Sequence, residues 1–392
     1  MREEIKQRIE AVRGGEVPLG YKRTDSGVMT EEWPNNTLGK IIEFHNEKST
    51  INNEYPVLTS ARSGLVFQTE YFEDQVTREE NAGYNIIPYG YVTYRSRSDD
   101  GRFTFNRNQI IEKGIVSCFY PVFRIIEELA DPSFVLSYLN NFLGRQILKG
   151  IVGTSQLVLS EKKLSELRFP CPNLAEQEKI AEILSTCDRI IELKQQLLEE
   201  KRRQKRCFMQ RIFKTNGWEK KKLSELADVD TGDADTQDKV SDGKYPFFVR
   251  SATIERIDSY SYDGEAILTP GDGKIGEIFH YYNGKFNYHQ RVYKISDFHG
   301  CLGKYIYYYL QLFFKKRACL MTAKATVDSL RREMLTDMPI FFPSVAEQER
   351  IVCLLDGCEK EIELLEKSLE CEELKKKALM QLLLTGLVRV NA

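Results

Sequence analysis

Two stretches of this chain carry apolar residues at alternating spacings of four and three. The first runs Ile180, Leu184, Cys187, Ile191 and on to Leu198, Phe208 and Ile212. The second runs Ile351, Leu355, Cys358, Ile362, Leu365, Leu369, then Leu379 and Leu383. A seven-residue apolar repeat flanked by charge predicts a coiled-coil seam. Lys194, Lys201 and Lys205 interrupt the first stripe; Glu372 and Lys376 interrupt the second. Pro170 and Pro172 keep the approach to the first helix extended, Asn173 is the expected N-cap, and Gly386 the expected C-cap of the second. The first helix should stop near Lys214, before Asn216-Gly217. Each helix then spans about 38 residues, or roughly 57 Å. One such helix alone exposes its seam, so the expectation is an antiparallel pair with a globular region at each end.

The stripes belong to a longer duplication. Ala175–Ile180, AEQEKI, recurs as AEQERI at Ala346–Ile351, an offset of 171. The same offset places Pro172 on Pro343, Lys205 on Lys376 and Met209-Gln210 on Met380-Gln381. Backwards along the chain it places Phe134 on Tyr305, Tyr138 on Tyr309 and Leu164 on Leu335. A sequence unit made twice predicts a structural unit made twice. The fold class expected is α/β (α+β): two mixed domains separated by two long helices in an antiparallel coiled coil, with a pseudo-twofold repeat.

The organisation read from these signals is an N-terminal arm (1–29), a first recognition domain (30–172), a first long helix (173–214), a second domain (215–342), and a second long helix with the tail (343–392). Both domains open alike, WPNNTLGKI at Trp33 and WEKKKLSEL at Trp218, and both continue to a Tyr-Pro strand, at Tyr55 and Tyr245. Their middles diverge. A constant frame with divergent middles suits two modules that read two different sequences, and a two-unit chain suits a pseudo-twofold target such as DNA.

At 392 residues the chain exceeds one ordinary core. Composition is that of a globular protein, with 42% hydrophobic and 29% charged residues. The charged start, MREEIKQRIE, does not read as a secretory signal. Nine cysteines without a CxxC pair read as reduced thiols in a cytoplasmic protein, and the four histidines lack zinc-site spacing. Net charge is −2, yet Glu199–Lys222 holds ten Lys/Arg against three Glu, and Lys274–Lys294 four against one. Such runs are solvated helix faces or phosphate-facing strips.

No catalytic signature stands out. The chain has no Pro-Pro, no GxxxxGK[ST] loop and no GxSxG elbow. GDGKIG at Gly271 reads as a glycine turn, with or without a phosphate at its backbone and Lys274. YIYYYLQLFF at Tyr305 has helical spacing and predicts a packing helix rather than a base-stacking platform. Arginine pairs with guanine, and Asn or Gln with adenine, through base edges. The candidate DNA contacts are therefore Arg62, Tyr94, Arg95, Arg97, Arg102 and Arg107 in the first domain, with Ser155 just ahead of its helix. In the second they are Arg250, Lys274, Tyr288, His289, Gln290 and Arg291, with Thr326 at the repeat position of Ser155. The candidate coiled-coil and partner-docking set is Glu176, Gln177, Ile180, Leu184, Ile191 and Leu198, with Glu347, Gln348, Ile351, Leu355, Ile362 and Leu369.

Taken in order, the duplicated P-x-x-A-E-Q-E-[KR]-I helix starts, the late LLLTG, the openings GVMTEEWPNNTLGKI and TNGWEKKKLSEL, and the loop ILTPGDGKIG resemble the DNA-specificity subunits of type I restriction–modification systems. The resemblance covers nearly the whole chain and departs at IIPYGYVTYRSRSDDGRF, where a glycine-rich loop is expected. It implies that each domain reads one half of a bipartite site in double-stranded DNA. It also implies that the helices set the gap and dock two methyltransferase subunits, which carry the S-adenosylmethionine. This chain would then hold no cofactor and catalyse nothing, with restriction/translocase subunits adding cleavage. The competing readings are a coiled-coil scaffold for two partner proteins without DNA specificity, and a self-sufficient nuclease or methyltransferase.

Overall fold

The computed structural model describes residues 3–25, 27–71, 80–148, 157–214, 217–322 and 329–390. It divides into two compact units: Met1–Glu192 with Glu370–Ala392, and Leu193–Leu369. Two long helices run from one unit into the other. They are α3 (Leu174–Ile212) and α5 (Val345–Leu383), numbered after α1 (Glu3–Arg13), α2 (Pro132–Leu148) and α4 (Gly303–Thr322).

In the first unit, strands Phe105–Arg107, Val92–Tyr94, Val122–Ile125 and Ile42–His45 form an antiparallel sheet in that order. The helix α2 lays Phe134, Val135, Tyr138 and Leu139 into the same core as this sheet. Its start is set locally. Asp131 is the N-cap, accepting the Phe134 N–H at 2.8 Å, and Pro132 follows where no N–H is needed. The start of α3 (Ile180, Ala181, Leu184) and the end of α5 (Leu383, with Leu384 beyond it) complete the core. The N-terminal helix α1 buries no residue, but Arg8 donates to the Leu387 carbonyl at 2.8 Å.

In the second unit, six strands run in the order Asp228–Thr231, Val292–Ser296, Tyr262–Pro270, His280–Tyr288, Tyr245–Phe248 and Ile254–Ile257. Only the contact of Tyr245–Phe248 with His280–Tyr288 is parallel. The predicted packing helix is α4. It buries Tyr305, Ile306, Tyr309 and Leu310 beside the end of α3 and the start of α5, with the Phe213 ring against Tyr305 and Tyr309.

The duplication is visible in each unit's hydrogen bonds. Asn35–Thr37 pairs with Arg168–Pro170 in the first, and Glu219–Lys222 with Pro339–Phe342 in the second. Each ribbon ties a region's opening to the residues just before its long helix. Gln177 accepts the Asp131 N–H at 3.0 Å and donates to the Pro172 carbonyl at 2.8 Å. Gln348, 171 residues on, accepts the Leu302 N–H at 3.0 Å and donates to the Pro343 carbonyl at 3.0 Å. Both amides are fully buried. The glutamine of each AEQE motif therefore stitches a long helix to the residue just ahead of the packing helix of its region.

The expected caps are present. Asn173 accepts the Glu176 N–H at 2.8 Å. Gly386, at φ +69°, ends α5, and the Val388 N–H reaches back to the Leu382 carbonyl at 3.1 Å. The seam lysines now have partners, and these run antiparallel. In the second unit Lys194 donates to Ser368 at 2.7 Å, Lys201 to Glu361 at 2.8 Å, and Lys205 pairs with Glu359. In the first unit Lys376 pairs with Asp188.

Candidate nucleic-acid interface

In the first unit, Arg62, Arg95, Arg97 and Arg102 line one cleft of about 550 Å³. Arg62 directly follows the strand Leu58–Ala61; Arg97 lies on the short strand Arg97–Ser98, and Arg102 in the loop after it. Asp100 organises this cleft. It takes the Arg62 guanidinium, and its other oxygen accepts the Ser98 hydroxyl at 3.0 Å and the Arg102 N–H at 3.1 Å. Those bonds, led by the Arg102 N–H, hold the Asp100 carboxyl below its usual range. Arg97 is fixed over the Phe119 ring at 4.8 Å. The cleft thus collects exposed guanidiniums around an exposed carboxylate, which suits phosphate and base-edge contacts.

Two first-unit candidates lie elsewhere. Tyr94 is 0% exposed. It sits on a strand whose three residues are all buried, packs its ring 4.8 Å from that of Phe105, and donates its hydroxyl to the Leu159 carbonyl at 3.1 Å. Burial drives its phenol pKa well up. It is a core residue, not a base contact. Arg107 spends its guanidinium on the Gly90 carbonyl at 2.9 Å and on Glu127 at 2.8 Å, and does not line the cleft.

In the second unit, Asp272 lies in the GDGKIG loop between the two nine-residue strands Tyr262–Pro270 and His280–Tyr288. One of its oxygens accepts from both Arg250, at 3.1 Å, and Arg291, at 3.0 Å. Although burial opposes it, these two guanidiniums hold the Asp272 carboxyl below its usual range. Lys274, two residues on, is exposed. Gln290 is exposed and donates to Asp235 at 2.9 Å. Arg250, Arg291 and Lys274 therefore meet around one loop, with Gln290 beside Arg291 in the chain.

Tyr288 and His289 require correction. Tyr288 is buried with Phe248 and Phe286, and burial pushes its phenol up to about 12. His289 is buried as well; its Nδ1 accepts the Arg291 N–H at 2.9 Å. Burial, and secondarily Arg250, lowers its pKa, and the ring braces the Arg291 backbone. Ser155 and Thr326 lie outside the described residues.

The helix candidates are mostly spent on the fold itself. Glu176, Gln177, Ile180, Leu184 and Leu198 are buried, as are Gln348, Ile351, Leu355 and Ile362. Ile191, Glu347 and Leu369 are half-buried. Ile180 and Leu184 pack into the first unit's core and Ile351 and Leu355 into the second's, and Glu176 and Gln177 bond within the first unit, so none of these offers a surface to another protein. The sequence reading missed Asp100, Asp272 and Asp235, because it looked for hydrogen-bond donors and not for the carboxylates that hold them. Asp100 and Asp272 were marked by Asp-Gly-basic tripeptides, a pattern that Asp242 shares; Asp235 carried no such mark.

Comparison with known proteins agrees with this architecture. The family described as "Type I restriction modification DNA specificity domain" matches twice, over residues 30–201 and 215–373. The chain belongs to that family. It is 24% identical to the putative type I restriction enzyme MjaX specificity subunit of Methanocaldococcus jannaschii, over 95% of this chain and 97% of that one. It is 31% identical to the EcoDI specificity subunit of Escherichia coli over 39% of this chain and 34% of that one. Its fold is that of the type I restriction–modification S subunit from M. genitalium, with a TM-score of 0.60 and 14% identity over 90% of this chain and 96% of that one. Among the described residues, no helix is long and apolar enough to cross a membrane.

Proposed function

We propose that this chain is the sequence-reading subunit of a type I restriction–modification complex. Residues 30–172 and 215–342 each read one half of a bipartite asymmetric site in double-stranded DNA, and the helix pair fixes the unread gap. Two methyltransferase subunits dock on the complex and carry S-adenosylmethionine; restriction/translocase subunits add cleavage. The chain itself contributes specificity and no chemistry. The observation that carries this reading is the pairing of a repeated frame with unlike, arginine-lined middles. The closing strands of the ribbons, the buried glutamines and the helix starts recur at an offset of 171, while the residues between differ: Arg62, Arg95, Arg97 and Arg102 line a cleft in the first unit, and Arg250 and Arg291 meet on Asp272 in the second.

The test is a methylome. The full chain is co-expressed with its methyltransferase partners, N6-methyladenine is mapped, and the chain is omitted as control. A split motif that appears only with this chain supports the reading, and exchanging residues 217–342 should change one half of it. An active complex whose methylation ignores the chain favours the scaffold instead.

A further inference from the structure

The middles of the two regions diverge, yet both contain an Asp-Gly-basic triplet with a left-handed glycine: Asp100-Gly101-Arg102 and Asp272-Gly273-Lys274; a further triplet, Asp242-Gly243-Lys244, lacks that conformation. The first two lie 172 residues apart, one more than the offset of the repeat. Their glycines stand at φ +76° and +73°. Each aspartate takes the guanidinium of the first arginine after its region's Tyr-Pro segment, Arg62 on Asp100 and Arg250 on Asp272. The segment IIPYGYVTYRSRSDDGRF, read from sequence as a departure, therefore contains the counterpart of the GDGKIG turn.

The Arg62–Asp100 pair, 72% and 45% exposed, adds little to stability. The geometry suits presentation. The Asp272 side chain is 20% exposed beneath guanidiniums that are 48% and 65% exposed, so the carboxylate lies under and the arginines face out. Each arginine gives Asp272 one Nη1 donor. A guanidinium has five N–H donors in a rigid fork, so an edge remains for the N7 and O6 acceptors of guanine. An arginine already tethered at one nitrogen loses less side-chain freedom when it meets a base.

We propose that Asp100 and Asp272 are positioning residues, each holding one arginine, Arg62 or Arg250, for a guanine in the half-site that its own region reads. This rests on the proposed function above. The experiment maps N6-methyladenine directed by the full chain with its methyltransferase partners, for wild type, Asp100→Asn, Asp272→Asn and Arg250→Lys. Asp272→Asn should lower preference at one G·C position by about tenfold or more and leave the other half of the motif intact. Asp100→Asn should do the same in the opposite half.

Arg250→Lys keeps the charge but loses the fork, and should relax the position that Asp272→Asn relaxes. Because Arg250 is exposed, this variant carries the test if Asp272→Asn does not fold. Binding of the complex to a random duplex adds a readout that a structural role would not move. Removing one negative charge should hold or raise that affinity while site preference falls, whereas a fold defect lowers both. A wild-type split motif that Asp272→Asn and Arg250→Lys leave unchanged overturns the inference alone. A wild-type chain that directs no methylation overturns the functional reading and this inference with it.

Discussion

Arg389 grips both carboxylate oxygens of Glu176, through Nε at 2.6 Å and Nη2 at 2.8 Å, across 213 residues of chain. Glu176 is buried, and the Trp33 indole donates to the same carboxylate at 3.1 Å. The tail is thereby locked onto the first turn of α3. Arg389→Ala would leave a buried carboxylate with the indole alone. The expected loss is about 2–4 kcal/mol, below the full cost of breaking a buried pair because Arg389 is one-third exposed. Urea melts of the two proteins check this, and a difference below about 1 kcal/mol would show that the grip is dispensable.

The two motif glutamines should cost alike. Gln348→Leu keeps the volume but strands the Leu302 N–H and the Pro343 carbonyl, at about 1–3 kcal/mol for each buried group left unpaired. Gln177→Leu strands the Asp131 N–H and the Pro172 carbonyl. Amide exchange should become faster near residue 302 in one variant and near residue 131 in the other. Faster exchange in neither would contradict the stitching role.

Acid should weaken the second unit through its histidines. Burial lowers the pKa of His280, and its Nε2 has no hydrogen-bond partner among the described residues. The pKa of His289 shifts the same way. A depressed folded value means that the unfolded chain takes up its proton first, near pH 6.5. Stability should be level above about pH 7 and fall as pH drops below 6.5 toward the depressed folded values. His280→Phe, beside the Phe248 ring 5.3 Å away, should flatten that slope when melts at pH 7 and pH 5 are compared. An unchanged slope would count against the assignment.

Gly386 ends α5 at φ +69°, and a Cβ there would lie 2.5 Å from Thr30 Cγ2. Gly386→Ala adds a left-handed alanine to that clash, for an expected cost above about 1 kcal/mol. Thr30→Ser should recover part of it, because it removes the clashing methyl. No recovery in the double variant would place the cost in the backbone alone.

Much of the frame was legible because its signals are local. The seam needs only its three-and-four spacing, and Asn173 and Gly386 cap by residue type at a helix end. The partners of Lys194, Lys201 and Lys205 were not legible, because they depend on a register that only the folded pair sets. Tyr94, Tyr288 and His289 were misread for another reason. Whether a residue on or just after a strand faces core or solvent depends on what covers that face, which the residue type does not say, and a ring with a polar tip serves core and surface equally. Asp100 and Asp272 carry the wrong charge to be sought in a DNA reader, yet they hold arginines that were sought.

Each region leaves its frame and returns to it through a single two-stranded ribbon, Asn35–Thr37 with Arg168–Pro170 and Glu219–Lys222 with Pro339–Phe342. Entry and exit are therefore neighbours, joined by backbone bonds that depend little on which side chains lie between them. A crossover between two related genes that falls in these ribbons would deliver a foreign insert to a socket already shaped to receive it. Such a lineage can change its vocabulary by cut and paste while its grammar stays fixed.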